Sequence, residues 1–134
     1  MKFWIRNVPE HVTEAANRIA SACDKAGLDP LHCYQATTCA VEAINNAIVH
    51  AYREHDGYIA VRWRCSEDTV VIEIADQGIA METTPDAEAP NPRAERGRGW
   101  LIIREWMDEA KYERRECENV VIMAKHLPNK AVAI

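Results

Sequence analysis

Apolar positions recur at every third or fourth residue from Val12 through Ala15, Ala16, Ile19, Ala20 and Cys23, which predicts a helix over 10–26 with Gly27 as its stop. Before it, Phe3 to Val8 reads as a short strand broken by Pro9. Asp29-Pro30 then offers an N-cap and a first-turn proline, and helical spacing continues from Leu31 to Tyr52. After the turn residues His55-Asp56-Gly57 the period changes to two. Ile59, Val61 and Trp63 alternate in one strand (58–65) and Val70, Ile72 and Ile74 in the next (69–75), joined through Ser66-Glu67-Asp68.

From Asp76 to Gly99 no period survives. This stretch holds three of the six prolines (Pro85, Pro90, Pro92) among many charged residues, and a loop of that length inside a small domain is usually functional or disordered. A short helix over 100–107 follows, then two strands, 110–117 and 120–127, turning at Glu118-Asn119. The order β-α-α-β-β-loop-α-β-β predicts an α/β (α+β) two-layer sandwich. Three helices would cover one face of a mixed, mostly antiparallel sheet, in a single domain over 1–134.

The second helix has two faces. Ala40, Ile44, Ala47, Ile48 and Ala51 gather on one side at about 100° per residue. Glu42, Asn46 and His50 follow at i, i+4 and i+8 on the other. A carboxylate, an amide and an imidazole so placed can serve one small volume as base, oxygen ligand and polar support, or can simply form a solvated face.

Composition narrows the classes. The chain has 134 residues and a formal net charge of -5, which argues against nucleic acid or an anionic membrane as main partner. No apolar run reaches the ~20 residues of a membrane span, so the expected location is cytoplasmic. The five cysteines (Cys23, Cys33, Cys39, Cys65, Cys117) form no C-x-x-C pair and read mostly as small core residues in a reducing compartment.

Two glycine sites flank the aperiodic segment. Asp76-Gln77-Gly78 ends a strand: its carboxylate can accept from an exocyclic amino group and its glycine admits a flat ring, although D-x-G is also an ordinary turn. Gly97-Arg98-Gly99 opens a helix, where backbone N–H groups can converge on an anion, with Arg96 and Arg98 adding positive charge. Neither a P-loop nor a Rossmann fingerprint is present.

The order of these features resembles the ATP-binding domain of the GHKL superfamily, which includes gyrase and the histidine kinases. Within it the chain is most similar to the small anti-sigma-factor serine/threonine kinases. Glu42-Ala43-Ile44-Asn45-Asn46-Ala47-Ile48-Val49-His50-Ala51-Tyr52 resembles their N box, and Gly97-Arg98-Gly99-Trp100-Leu101-Ile102-Ile103 their second glycine box. The resemblance implies Mg²⁺ held by Asn46 and a general base at Glu42. It implies adenine read by Asp76 over Gly78, and ATP phosphates at Arg96, Gly97, Arg98, Gly99, Trp100 and Leu101 beneath a lid over about 79–96. His50 fits either the family pattern or a structural role, and Arg93, Arg96 and Arg98 are alternative contacts for the terminal phosphate. Ala80 stands where a second glycine of the first glycine box is common, and Trp100 where smaller aliphatic residues are usual.

The implied activity is a Mg-ATP-dependent protein serine/threonine kinase and anti-sigma factor. Its partners would be a sigma factor and a small anti-sigma-factor antagonist as protein substrate. The alternative is a nucleotide-gated module that sequesters a partner without phosphorylating it. Monomer against dimer stays open, with the related kinases pointing to a homodimer.

Overall fold

Gly27 ends the first helix as its position predicts. It adopts a left-handed φ of 100°, where its N–H reaches Asp24 O, and Leu28 N–H reaches Cys23 O at 3.1 Å. The computed structural model describes residues 1–52, 55–79 and 98–127, with the backbone alone at Arg98. Its elements are β1 (Lys2–Arg6), α1 (Pro9–Ala26), α2 (Pro30–Asn46), a π-helical turn (Ala47–Tyr52), β2 (Tyr58–Cys65) and β3 (Thr69–Asp76). After the undescribed stretch come α3 (Arg98–Trp106), β4 (Glu109–Arg115) and β5 (Glu118–His126). Asp29 caps α2, accepting from His32 N–H at 2.8 Å.

The sheet order is β1-β2-β3-β5-β4, and each pairing is antiparallel, so the sheet expected as mixed has no parallel neighbours among the described strands. β3 and β4 do run the same way, as a helical crossover between them requires, but β5 lies between them. The last hairpin turns at Glu116-Cys117, two residues earlier than expected, which puts Asn119 inside β5 opposite Asp76.

The three helices share one core with one face of the sheet. Ile19, Ile44, Ile72, Met123, Trp100 and Ile103 are almost fully buried there. α2 lies between α1 and α3 and meets the central strands β3 and β5. Lys125 fastens this arrangement. Its buried ammonium donates to Gln35 Oε1 at 2.8 Å and to the Trp106 carbonyl at the C-terminus of α3, where a cation is favoured. On the opposite face Glu73 is surrounded by Arg62, Arg64 and Arg115 at 2.8–3.4 Å.

The cysteines divide. Cys23 and Cys39 fill the core as expected and Cys33 is half-buried, but Cys65 and Cys117 are exposed, at the end of β2 and in the last turn. Burial pushes the Cys23 thiol up to about 11 and the Cys39 thiol up to about 12.

Candidate functional site

Glu42 and Asn46 lie one turn apart near the end of α2, and both are half-buried. The solvated-face alternative therefore fails for these two, whereas Asn45 between them is exposed. What covers them is the first turn of α3. A Cβ placed on Gly99 would lie 2.9 Å from Glu42 Oε2, 3.2 Å from Asn46 Nδ2 and 3.5 Å from Asn46 Oδ1. The two sequence stretches are thus in contact, and only a residue without a side chain leaves them that close.

Beyond Asn46 the helix widens. Ala47–Tyr52 follows the π pattern, so the four-residue step from Asn46 to half-buried His50 is no longer an α turn, and the expected three-residue stripe ends at Asn46. The β-branched pair Ile48-Val49 weakens the α preference locally. Tertiary bonds hold the wide turn. Ile79 N–H donates to Ala51 O at 3.0 Å, and the Tyr52 hydroxyl donates to Tyr58 O while accepting from Gln77 N–H at 3.0 Å. Gly78 presses against the same turn, since a Cβ there would meet Ala51 O at 2.4 Å.

Asp76 ends β3 at 3% exposure. Its Oδ1 accepts from Gly78 N–H at 2.9 Å and from Asn119 Nδ2 at 2.8 Å, and among the described residues no donor meets Oδ2. Asn119 Nδ2 also donates to Gly78 O at 3.0 Å, and its Oδ1 accepts from Arg114 Nη1 at 2.6 Å. Burial raises the Asp76 pKa above 3.8, against the opposing pull of Asn119, Gly78 N–H and the Arg114 charge. A cavity of about 600 Å³ opens beside this turn, lined by Ala51, Tyr52, His55, Gln77, Gly78, Ile79 and Arg114.

Several expected residues cannot be placed. Arg96, Gly97, Arg93, Ala80 and the proposed lid, apart from Ile79, lie outside the described residues. Arg98 is described through its backbone alone, at the start of α3, and Leu101 is half-buried. Trp100 is 2% exposed in the main core, which accounts for its size. Sequence reasoning missed Asn119, Arg114 and Tyr52. Asn119 falls in the turn expected at Glu118-Asn119, Arg114 sits exposed on an edge strand, and Tyr52 enters the sequence pattern only as the last residue of a motif.

The Asn46 amide fits a hard cation. Its amide oxygen is the atom a hard cation would take, with the Glu42 carboxylate nearby, while its Nδ2, buried without a partner among the described residues, is a donor suited to an anionic oxygen such as a phosphate's. Among the described residues no three metal-ligating side chains cluster. An ion held through one amide and a ligand's phosphates needs no such cluster. Among them, too, no helix is long and apolar enough to cross a membrane.

Comparison with known proteins agrees with this geometry. The family model described as a histidine kinase-like ATPase domain matches residues 5–125. An anti-sigma F factor of Clostridium beijerinckii is 33% identical over 92% of this chain and 94% of its own length. Another, from Priestia megaterium, is 32% identical over 87% of this chain and 86% of its own. The catalytic domain of the histidine kinase ThkA shares the fold, with a TM-score of 0.59 at 16% identity over 92% of this chain and 95% of that domain. With Gly99 brought to the end of α2 and Gly78 to the turn that follows it, and with these matches along nearly its whole length, the chain belongs to the histidine kinase-like ATPase family of the GHKL superfamily, alongside the anti-sigma F factors it is similar to.

Proposed function

We propose that this chain is a Mg-ATP-dependent serine/threonine protein kinase of a bacterial partner-switching pathway, working in the cytoplasm as one ATP-binding domain. It would hold a sigma factor and phosphorylate a small antagonist protein. The single observation that carries this reading is the meeting of Glu42, Asn46 and Gly99 at the first turn of α3. A base, an amide oxygen and a helix N-terminus converge there, the set that phosphoryl transfer to a hydroxyl requires.

In this mechanism Asp76 accepts from the adenine amino group, and Gly78 lets the ring lie close to the backbone. Asn46 would hold Mg²⁺, which supplies neutralisation of phosphate charge. The backbone N–H groups at the start of α3, with Gly97 and Gly99, would orient the phosphates, and the segment over 79–96, which apart from Ile79 lies outside the described residues, would serve as the lid. Glu42 takes the proton from a Ser or Thr hydroxyl as its oxygen bonds to the terminal phosphorus and ADP departs.

The test is radiolabelled transfer to a co-encoded antagonist, run beside ATP binding. Glu42→Gln should bind ATP normally while transfer falls by roughly 10²–10⁴. Asn46→Ala should lose tight ATP binding and transfer together. Wild-type transfer rates in Glu42→Gln would remove the base from that position. ATP-controlled partner binding without any transfer in the wild type would favour the nucleotide-gated module.

A further inference from the structure

Three side chains from three strands form a chain of hydrogen bonds whose direction is fixed at one end. Arg114, on edge strand β4, carries only donors, so the Asn119 atom facing it at 2.6 Å must be the amide oxygen. The Asn119 NH₂ group is thereby turned the other way. It donates to Asp76 Oδ1 at 2.8 Å and to the Gly78 carbonyl at 3.0 Å. Gly78 N–H supplies a second donor to the same oxygen at 2.9 Å. Asn119 is 1% exposed, so no water replaces these partners cheaply.

The consequence falls on the other carboxylate oxygen. With two donors on Oδ1 and a guanidinium behind the amide, the ionised form of Asp76 is favoured, and Oδ2 is left as an acceptor with no described partner. A buried aspartate without this support would hold a proton more readily, as the burial of Asp76 already encourages. It could then donate through Oδ2 to a carbonyl. Among the described residues, the other ionisable groups close to Asp76 are Glu118 on β5, which opposes ionisation, and the Tyr52 hydroxyl, which is engaged with Tyr58 O and Gln77 N–H.

We propose that Arg114 and Asn119 are positioning residues that act through Asp76, fixing it as an acceptor-only reader of the base edge and so selecting 6-amino over 6-oxo and unsubstituted purines. The relay rests on the reading of Asp76 as the adenine contact. Arg114 also lines the cavity beside the turn, so the end of the relay that sets its direction is open to solvent while the end that reads is buried.

The experiment is calorimetric binding of ATP and of purine riboside triphosphate, which lacks the 6-amino group, to the full chain. The wild type should prefer ATP by about ten- to a hundredfold, the worth of one charge-assisted hydrogen bond. Asn119→Ala should bring the two ligands within about threefold of each other. Arg114→Met should fall between, because the amide is then free to flip, and Arg114→Lys, which keeps a donor-only group, should restore the wild-type ratio. If Asn119→Ala does not fold, Arg114→Met, at an exposed position, carries the test alone. A wild-type protein that does not distinguish the two ligands overturns the adenine reading and the relay with it. A discriminating wild type whose ratio survives in the folded variants overturns the relay alone.

Discussion

Gly99→Ala should separate folding from function. Among the described glycines only Gly27 has a positive φ, so alanine suits the backbone at Gly99, where it gains up to about 1 kcal/mol of helix propensity. The new methyl would stand 2.9 Å from Glu42 Oε2, the far end of a flexible side chain, and 3.2 Å from Asn46 Nδ2, which is buried. The carboxylate can swing away at about 0.5–1.5 kcal/mol of rotamer energy, and the amide must yield by a few tenths of an ångström. These contributions nearly cancel, so stability should change by less than about 1 kcal/mol, with the melting midpoint moving by only a few degrees. The two displaced groups are the ones assigned to the proton and the metal. A misplacement approaching 1 Å at reacting groups costs about 10² in rate. Thermal melts, ATP calorimetry and transfer to the antagonist on one preparation are the assay. Wild-type affinity and transfer in a normally folded Gly99→Ala protein would refute the assignment of Glu42 and Asn46 to the ligand.

Other consequences are open to measurement. Because burial raises the Asp76 pKa above 3.8, its contribution to apo stability should be lost as pH rises through that raised value. Nucleotide affinity should move the opposite way, falling as pH drops through it, while Asp76→Asn should show neither trend in parallel melts and titrations. Lys125→Met leaves the Gln35 and Trp106 acceptors unpaired and should destabilise the fold by about 1–3 kcal/mol in urea titration, with α3 amides exchanging faster. A thiol reagent at neutral pH should modify Cys65 and Cys117 quickly in the folded protein. Cys23 and Cys39, buried and with raised pKa values, should react only on unfolding, which mass mapping of the labelled chain would check.

The elements set by local chemistry were legible in the sequence. Asp29-Pro30 and Gly27 mark helix ends through capping and backbone freedom, and the alternation in β2 and β3 marks their buried faces. The contact of Glu42 and Asn46 with the G-x-G helix was reached through motif order, since more than fifty residues separate Asn46 from Gly99 in the chain. Features made by tertiary contact were not legible. The π turn depends on where Ile79, Gln77 and Tyr58 arrive, and none of these is local to Ala47 or Ile48. The last hairpin was misplaced because Glu118-Asn119 has turn-forming chemistry. The register chosen instead pairs Asp76 with Asn119, which joins two buried polar groups that would otherwise each need another partner.

The position of β5 also dictates an order of events during synthesis. Until residues 118–126 have left the ribosome, β3 has one bare edge and β4 has no neighbour in the sheet, so the nascent chain can assemble only β1, β2 and β3. Closing the sheet means inserting the last described strand between two others, a long-range step of the kind that slows folding. Asn119 arrives with that strand, so the aspartate is aligned only once the sheet is whole. A chain cut before residue 118 should therefore be an aggregation-prone fragment with exposed strand edges, rather than a weakened version of the same protein.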